Sequence, residues 1–225
     1  MVIHYLDSGS LRDIEKYAPD SRLAGFTPNP TLIKQAGVTN YRAFAKSVLG
    51  VIGRKDVSFE VLADSEEEMY AQAMTIAGWG KNVYVKVPVF FSDGTTTEAL
   101  IKRLAKAGVK LNVTAVLSQK QGMEVLGYLS GDHIVSVFAG RVMDVGRDAR
   151  SIVQTLVKER NLPMRILWAS VREVYNILQA SRCADIVTIP PAIYEKWVTL
   201  TGKQLRLYSL ETCRQFYADG KGIEF

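Results

Sequence analysis

Histidine and cysteine are the scarcest reactive residues in the chain, two of each among 225, and their placement excludes whole classes of chemistry. A metal-dependent aldolase or hydrolase needs several ligands converging on one point, and a Ser-His-Asp enzyme needs a histidine near its nucleophile. His4 and His133 sit in no motif of either kind. Cys183 and Cys213 are isolated, lack the spacing of metal ligands, and suit a reducing compartment in which thiols stay free. No metal and no cofactor are therefore expected. Long apolar runs are missing too: none reaches the ~18 residues that span a bilayer, so no membrane partner is expected. The first residues, Met-Val-Ile-His-Tyr-Leu-Asp, have no basic region before their apolar residues, unlike a signal peptide, and the cytoplasm is the expected location. Net charge is +5, yet Lys and Arg never form the 5–8-residue runs typical of nucleic-acid contacts, and nucleic acid is not an expected partner. A mild positive field would instead concentrate small anions.

What the chain does have is apolar content of 48%, enough for a sizeable core, and a regular alternation of short strand-like runs with helical stretches. That alternation is the pattern of a parallel sheet with helical crossovers. Eight units can be read, with strands near 2–7, 22–27, 57–62, 82–87, 109–114, 133–138, 164–169 and 185–189. Eight repeats in a chain of this length predict an α/β fold, a single (β/α)8 TIM barrel with an extra C-terminal helix. One domain over 1–225 is expected, the barrel filling about 1–200. Amphipathic helices are expected at 65–79, with Ser65 as N-cap and Glu66 to Glu68 in the first turn, and near 94–107, 118–128, 146–159, 171–181 and 191–199. The tail helix is expected over about 209–220, capped by Ser209 and ended by Gly220.

The stretch Val83-Tyr84-Val85-Lys86-Val87-Pro88 organises the rest. Alternation puts the three valines on one face and Tyr84 with Lys86 on the other, so a lysine lies on a buried strand. Taken out of water without a partner, an ammonium is costly, and burial favours the neutral, nucleophilic amine. Such an amine can attack a ketone and form a Schiff base. The same parity test puts Asp7, Glu60, Asn112, Thr114, Ser136 and Phe138 on the inward faces of their strands, and assigns Trp168 with Ser170 to the inward face of the seventh. A barrel interior normally holds branched apolar side chains, so this many polar groups converging on one end point to a site.

Several of these segments resemble one known family. Tyr5-Leu6-Asp7 resembles the opening strand of the transaldolases, Schiff-base barrels that include fructose 6-phosphate aldolases. Gly25-Phe26-Thr27-Pro28-Asn29-Pro30-Thr31 resembles their Gly-x-Thr-Thr-Asn-Pro-Ser motif, with Pro28 and Thr31 as departures; Pro28 should stiffen the loop that carries Asn29. Val85-Lys86-Val87-Pro88, Asn112-Val113-Thr114, Phe138-Ala139-Gly140-Arg141 and Ala169-Ser170-Val171-Arg172 resemble the motifs of strands four to seven.

The resemblance implies that Lys86 forms the Schiff base and that Asp7 moves the proton of the substrate's C4 hydroxyl. Glu60 and Thr114 would hold a water for proton shuttling. Thr27, Asn29, Asn112, Ser136 and Phe138 would line the substrate site, with Asn29, Asn112 and Ser136 bonded to the dihydroxyacetone hydroxyls. Arg141, Ser170 and Arg172 would take the phosphate of a sugar phosphate; Ser170 with Glu173 also fits a capping-box pattern. The family's short aldolases typically carry glutamine and tyrosine where this chain has Glu60 and Phe138, which favours transfer of the three-carbon unit over release of free dihydroxyacetone. A sulfonated sugar is a further alternative to the phosphorylated one. Short members of the family are commonly decamers of two five-membered rings in which the C-terminal helix reaches a neighbour, so a homo-oligomer is expected. The apolar tail residues Leu205, Leu207, Tyr208, Leu210, Phe216, Tyr217 and Phe225 agree with such a role.

Overall fold

A computed structural model describes residues 2–224, and its eight parallel strands close into one barrel in sequence order. The strands are β1 (Ile3–Leu6), β2 (Leu23–Phe26), β3 (Asp56–Glu60), β4 (Val83–Pro88), β5 (Leu111–Val116), β6 (Ile134–Val137), β7 (Arg165–Trp168) and β8 (Ile186–Ile189). Closure comes from β8 pairing back onto β1 in the register Ile3↔Ile186 to Leu6↔Ile189. Eleven helices accompany them among the described residues: α1 (Leu11–Tyr17), α2 (Pro30–Gln35), α3 (Tyr41–Ile52), α4 (Glu66–Ala77), α5 (Glu98–Lys106), α6 (Gln119–Tyr128), α7 (Ala139–Asp144), α8 (Ala149–Glu159), α9 (Val174–Ser181), α10 (Pro191–Leu200) and α11 (Leu205–Asp219). The molecule is a (β/α)8 TIM barrel with an added C-terminal helix. No helix among the described residues is long and apolar enough to cross a membrane.

Strand alternation sorts the core into two layers. Val57, Phe59, Val83, Val85, Val87, Val113, Val135 and Val137 point outward and pack under the helices with Leu100, Leu104, Val153 and Leu156. Inside the barrel lies a smaller cluster of Tyr5, Tyr84, Ile134, Leu167, Ala169 and Ile186. The N-terminal end is closed by polar groups: the Tyr5 hydroxyl donates to Asp56 at 2.5 Å, the Tyr84 hydroxyl to Asp132 at 2.8 Å, and Arg165 donates to both phenol oxygens. Burial lifts both phenols well above their ordinary range, so they act there as neutral donors.

Several expected boundaries and faces are corrected. Trp168 does not face the interior: Ser136 pairs with Leu167 and Val137 with Trp168, so Leu167 shares the inward level and Trp168 joins the outer layer. Helix α9 is capped by Glu173 with Asn176 in a capping box; Ser170 is no N-cap and adopts φ 63°. Helix α5 starts at Glu98, because Asp93 and Gly94 (φ 88°) turn the chain first. Likewise α8 starts after Asp148, whose carboxylate accepts the Arg150 amide. Ser65 does cap α4, but its hydroxyl donates to Glu68 at 2.8 Å and receives no backbone amide. The tail helix begins at Leu205 with Gln204 as N-cap, so Ser209 is interior; Gly202 (φ 81°) ends the preceding segment and neither Gly nor Pro interrupts 203–219. Phe225 lies outside the described residues. None of the side chains of α11 is buried, and Leu205, Phe216 and Tyr217 are at least 70% exposed.

Candidate active site

At the C-terminal end of the barrel a cavity of about 420 Å³ opens between the strand ends. Asp7 and Thr27 stand one residue beyond β1 and β2, Glu60 is the last residue of β3, and Lys86 and Thr114 lie near the ends of β4 and β5. All five line the cavity, as do Asn29, Asn112, Ser136, Phe138, Arg141, Ser170 and Arg172. Every site residue expected from the sequence is thus brought to one place.

Lys86 is 6% exposed, in register with Glu60 on β3 and Asn112 on β5. Lys86 is not without a partner: the Glu60 carboxylate stands 3.3 Å from Nζ, and Nζ donates to the Pro28 carbonyl at 3.4 Å. Burial is therefore offset by an acceptor at hydrogen-bonding distance and a carboxylate able to take a proton. Pro28 gives up an amide but contributes this carbonyl.

Asp7 is held from the loop between β2 and α2. Its Oδ1 accepts from the Thr27 hydroxyl and from Asn29 Nδ2, each at 3.3 Å. Asn29 also caps α2, its Oδ1 accepting the Leu32 amide at 3.0 Å, so the loop geometry and the carboxylate are fixed by one side chain. Gly9 lets the loop after β1 lie against α2: an added Cβ would stand 2.4 Å from the Ile33 nitrogen. Burial raises the Asp7 carboxyl above the usual carboxylate range, while Lys86 and the two hydrogen bonds pull it back. A carboxyl balanced in this way can both take and return a proton.

On the opposite wall Ser136 donates to Asn112 Oδ1 at 2.6 Å, and Asn112 Nδ2 donates to the Ser58 hydroxyl at 3.0 Å. One Asn112 amide hydrogen remains for a ligand. Thr114 is different: its buried hydroxyl finds no partner in the protein, and the next residue, Ala115, adopts the strained φ of 62°. An unpartnered hydroxyl in the cavity that Lys86 and Glu60 also line is a place for a water.

The wall that carries Arg141, Ser170 and Arg172 is built by close approach. An added Cβ on Gly140 would lie 1.6 Å from the Ser170 carbonyl oxygen, so only glycine lets α7 meet the loop after β7. Ser170 takes its left-handed conformation at this contact, a strain of the sort that collects at functional sites. Arg141 covers the Phe138 ring at 5.2 Å, whereas Arg172 donates to Asp144 at 2.7 Å.

Thr188 was not among the expected site residues. Its hydroxyl lies 2.5 Å from that of Thr27, and it lines the cavity from β8. Its signal was present, since Ile186 and Thr188 alternate with Val187 and Ile189 and the inward-parity test used on the other strands would have found it.

The family described as "Transaldolase/Fructose-6-phosphate aldolase" matches residues 4–222. The chain belongs to that family. It is 34% identical over 192 residues to a "Probable transaldolase" of Dehalococcoides mccartyi, covering 83% of this chain and 85% of the relative. A second "Probable transaldolase", of Maridesulfovibrio salexigens, is 32% identical over 213 residues, covering 92% of this chain and 96% of the relative. Among solved structures, a dihydrodipicolinate synthase superposes with a TM-score of 0.62 over 97% of this chain and 80% of that one at 14% identity, a likeness of fold. The motifs read on strands one, two and four to seven therefore lie within a match spanning nearly the whole chain.

Proposed function

We propose that the protein is a transaldolase that moves a dihydroxyacetone unit from a ketose phosphate to an aldose phosphate through a Schiff base on Lys86. The observation that carries the proposal is the placement of Lys86, Glu60 and Asp7 around one cavity, with Glu60 3.3 Å from Nζ. The amine attacks the ketone carbon, and the carbinolamine loses water as Glu60, with a water at Thr114, moves the protons. Asp7 takes the C4 hydroxyl proton, the C3–C4 bond breaks, and its electron pair enters the iminium to give an enamine and a free aldehyde. The enamine then attacks a second aldehyde, Asp7 returns the proton, and water frees the product from Lys86.

Choice between transfer and release rests on Glu60 and Phe138. Phe138 offers no hydroxyl to a water at the cavity wall, which supports an enamine that waits for an acceptor instead of being hydrolysed. Fructose 6-phosphate alone should turn over slowly, and erythrose 4-phosphate should release glyceraldehyde 3-phosphate with formation of a seven-carbon ketose. Free dihydroxyacetone accumulating equally fast without acceptor would establish the aldolase activity instead.

The anion would sit against Arg141, Ser170 and Arg172, where guanidinium forks match phosphate oxygens. Arg141→Ala should raise KM for phosphorylated donors about ten-fold or more, from loss of ~1.5–3 kcal/mol of charge-assisted hydrogen bonding. Arg172→Ala should have the smaller effect, since Asp144 already engages that side chain. Unchanged kinetics for Arg141→Ala, or better turnover of a sulfonated donor, would redirect the assignment of the anion.

Assembly belongs to the same reading, as does a cytoplasmic location with Cys183 and Cys213 as free thiols. The uncovered apolar side chains of α11 support a homo-oligomer, a decamer of two five-membered rings in which each subunit gives and receives a tail. Light scattering should report a mass near ten subunits, and deletion of residues 205–225 should leave smaller folded species. A monomer at micromolar concentration contradicts the assembly.

A further inference from the structure

We infer that Tyr41 is a positioning residue for Glu60, replacing at the mouth of the barrel a stretch of sheet that the fold leaves out. The inference rests on the reading of Lys86 and Glu60 given above. In a parallel strand successive peptide groups turn to alternate neighbours. On β3, Val57 and Val61 donate to Asn82 and Lys86 on the β4 side, so the N–H and C=O of Glu60 face the β2 side. Strand β2 pairs with β3 only at Asp56 and Val57, and it ends before reaching Glu60. Both backbone groups of Glu60 would thus be left open beside the cavity. One side chain answers both: the Tyr41 hydroxyl accepts the Glu60 N–H at 2.9 Å and donates to the Glu60 carbonyl at 3.0 Å.

Tyr41 is itself held firmly. It is the first residue of α3, whose N-cap Asn40 accepts the Ala43 amide at 3.0 Å. Its ring meets Phe59 and Trp79 edge-on at 6.1 and 5.9 Å, and those two rings meet each other at 5.4 Å. Burial lifts its phenol well above the ordinary range, so it stays a neutral donor and acceptor. The end of β3 is thereby pinned to the body of the barrel, and the Glu60 carboxylate is kept at hydrogen-bonding distance from the Lys86 amine. Proton transfer in carbinolamine formation is sensitive to that distance, whereas the binding of the sugar chain is not.

Tyr41→Phe removes the hydroxyl and keeps the ring. With fructose 6-phosphate and erythrose 4-phosphate, kcat should fall at least five-fold with KM changed less than two-fold, and borohydride trapping on Lys86 should slow in parallel. Trp79→Phe disturbs the same aromatic cluster but spares the hydroxyl, and kcat should stay within two-fold of the wild type. In a Glu60→Gln background, Tyr41→Phe should lower kcat less than it does in the wild type. Amide exchange at Glu60, read on the unmodified protein, should be strongly protected, and protection should be lost in Tyr41→Phe. Equal losses in both backgrounds, an unprotected Glu60 amide in the wild type, or a Tyr41→Phe enzyme with wild-type kcat overturns the role of Tyr41. A wild type that traps no ketose on Lys86 overturns the Schiff-base reading, and the Tyr41 inference with it.

Discussion

Lys86→Met should abolish transfer, lowering kcat by about 10⁴-fold or more, the order seen where the residue that carries a covalent intermediate is removed. Methionine matches lysine closely in length, so the cavity keeps its shape while the nucleophile disappears. The neighbours explain why nothing else can substitute. Arg141 and Arg172 are the other cationic side chains lining the cavity, and guanidinium does not give up its proton. Glu60 would lose its partner at 3.3 Å, so a modest loss of stability should accompany the loss of rate. Steady-state assays of release and transfer, with a melting curve beside them, measure both. Retention of more than a hundredth of wild-type turnover would contradict the role of Lys86.

Asp7→Asn should lower kcat by about 10²- to 10⁴-fold, the range for removal of a general acid–base group. Asparagine keeps an oxygen where Thr27 and Asn29 donate, so binding should change far less than rate. Stability should move the other way. Burial raises the native Asp7 carboxyl above its unfolded value near 3.8, so between those two values the folded chain holds a proton that the unfolded chain releases. Asp7 then contributes nothing below the unfolded value and destabilises increasingly as pH rises through the native one. Asp7→Asn should therefore be more stable than the wild type at neutral pH, with the gap closing below pH ~4. Chemical denaturation at several pH values, set beside the rate of the variant, checks both signs. A variant less stable than the wild type at pH 7 would place Asp7 in a structural ion pair and not in a proton-transfer site.

Residue parity carried most of the site. Lys86, Glu60, Asn112, Thr114 and Ser136 lie on strands whose outward neighbours are Val85, Phe59, Val113 and Val135, and such contrast is written directly in the sequence. Parity failed at Trp168, because it was tied to Ser170, which lies past the end of β7 and turns left-handed, and only the register with Ser136 shows that Leu167 holds the inward place. Ser170 was assigned to the site by its motif and to an N-cap by its spacing from Glu173. The N-cap role fails, because the chain turns at Ser170 through a left-handed residue that no spacing rule predicts, and the side chain lines the cavity instead.

Long-range partners were less legible. Nothing local in the sequence pairs Tyr41 with the backbone of Glu60, or Arg165 with the phenols of Tyr5 and Tyr84. These contacts depend on where β2 ends and on how the barrel closes, which are properties of the whole sheet. The counter-charge beside Lys86 was missed for the same reason: the Glu60–Lys86 register follows from β3 pairing with β4, not from either strand alone.

Borohydride reduction in the presence of fructose 6-phosphate, followed by peptide mass analysis, tests the central claim most directly. A covalent intermediate on Lys86 predicts a single dihydroxyacetone-sized addition to the peptide carrying that residue, absent without the sugar and absent in Lys86→Met. Addition at another lysine, or turnover with no trapped adduct, would contradict the account.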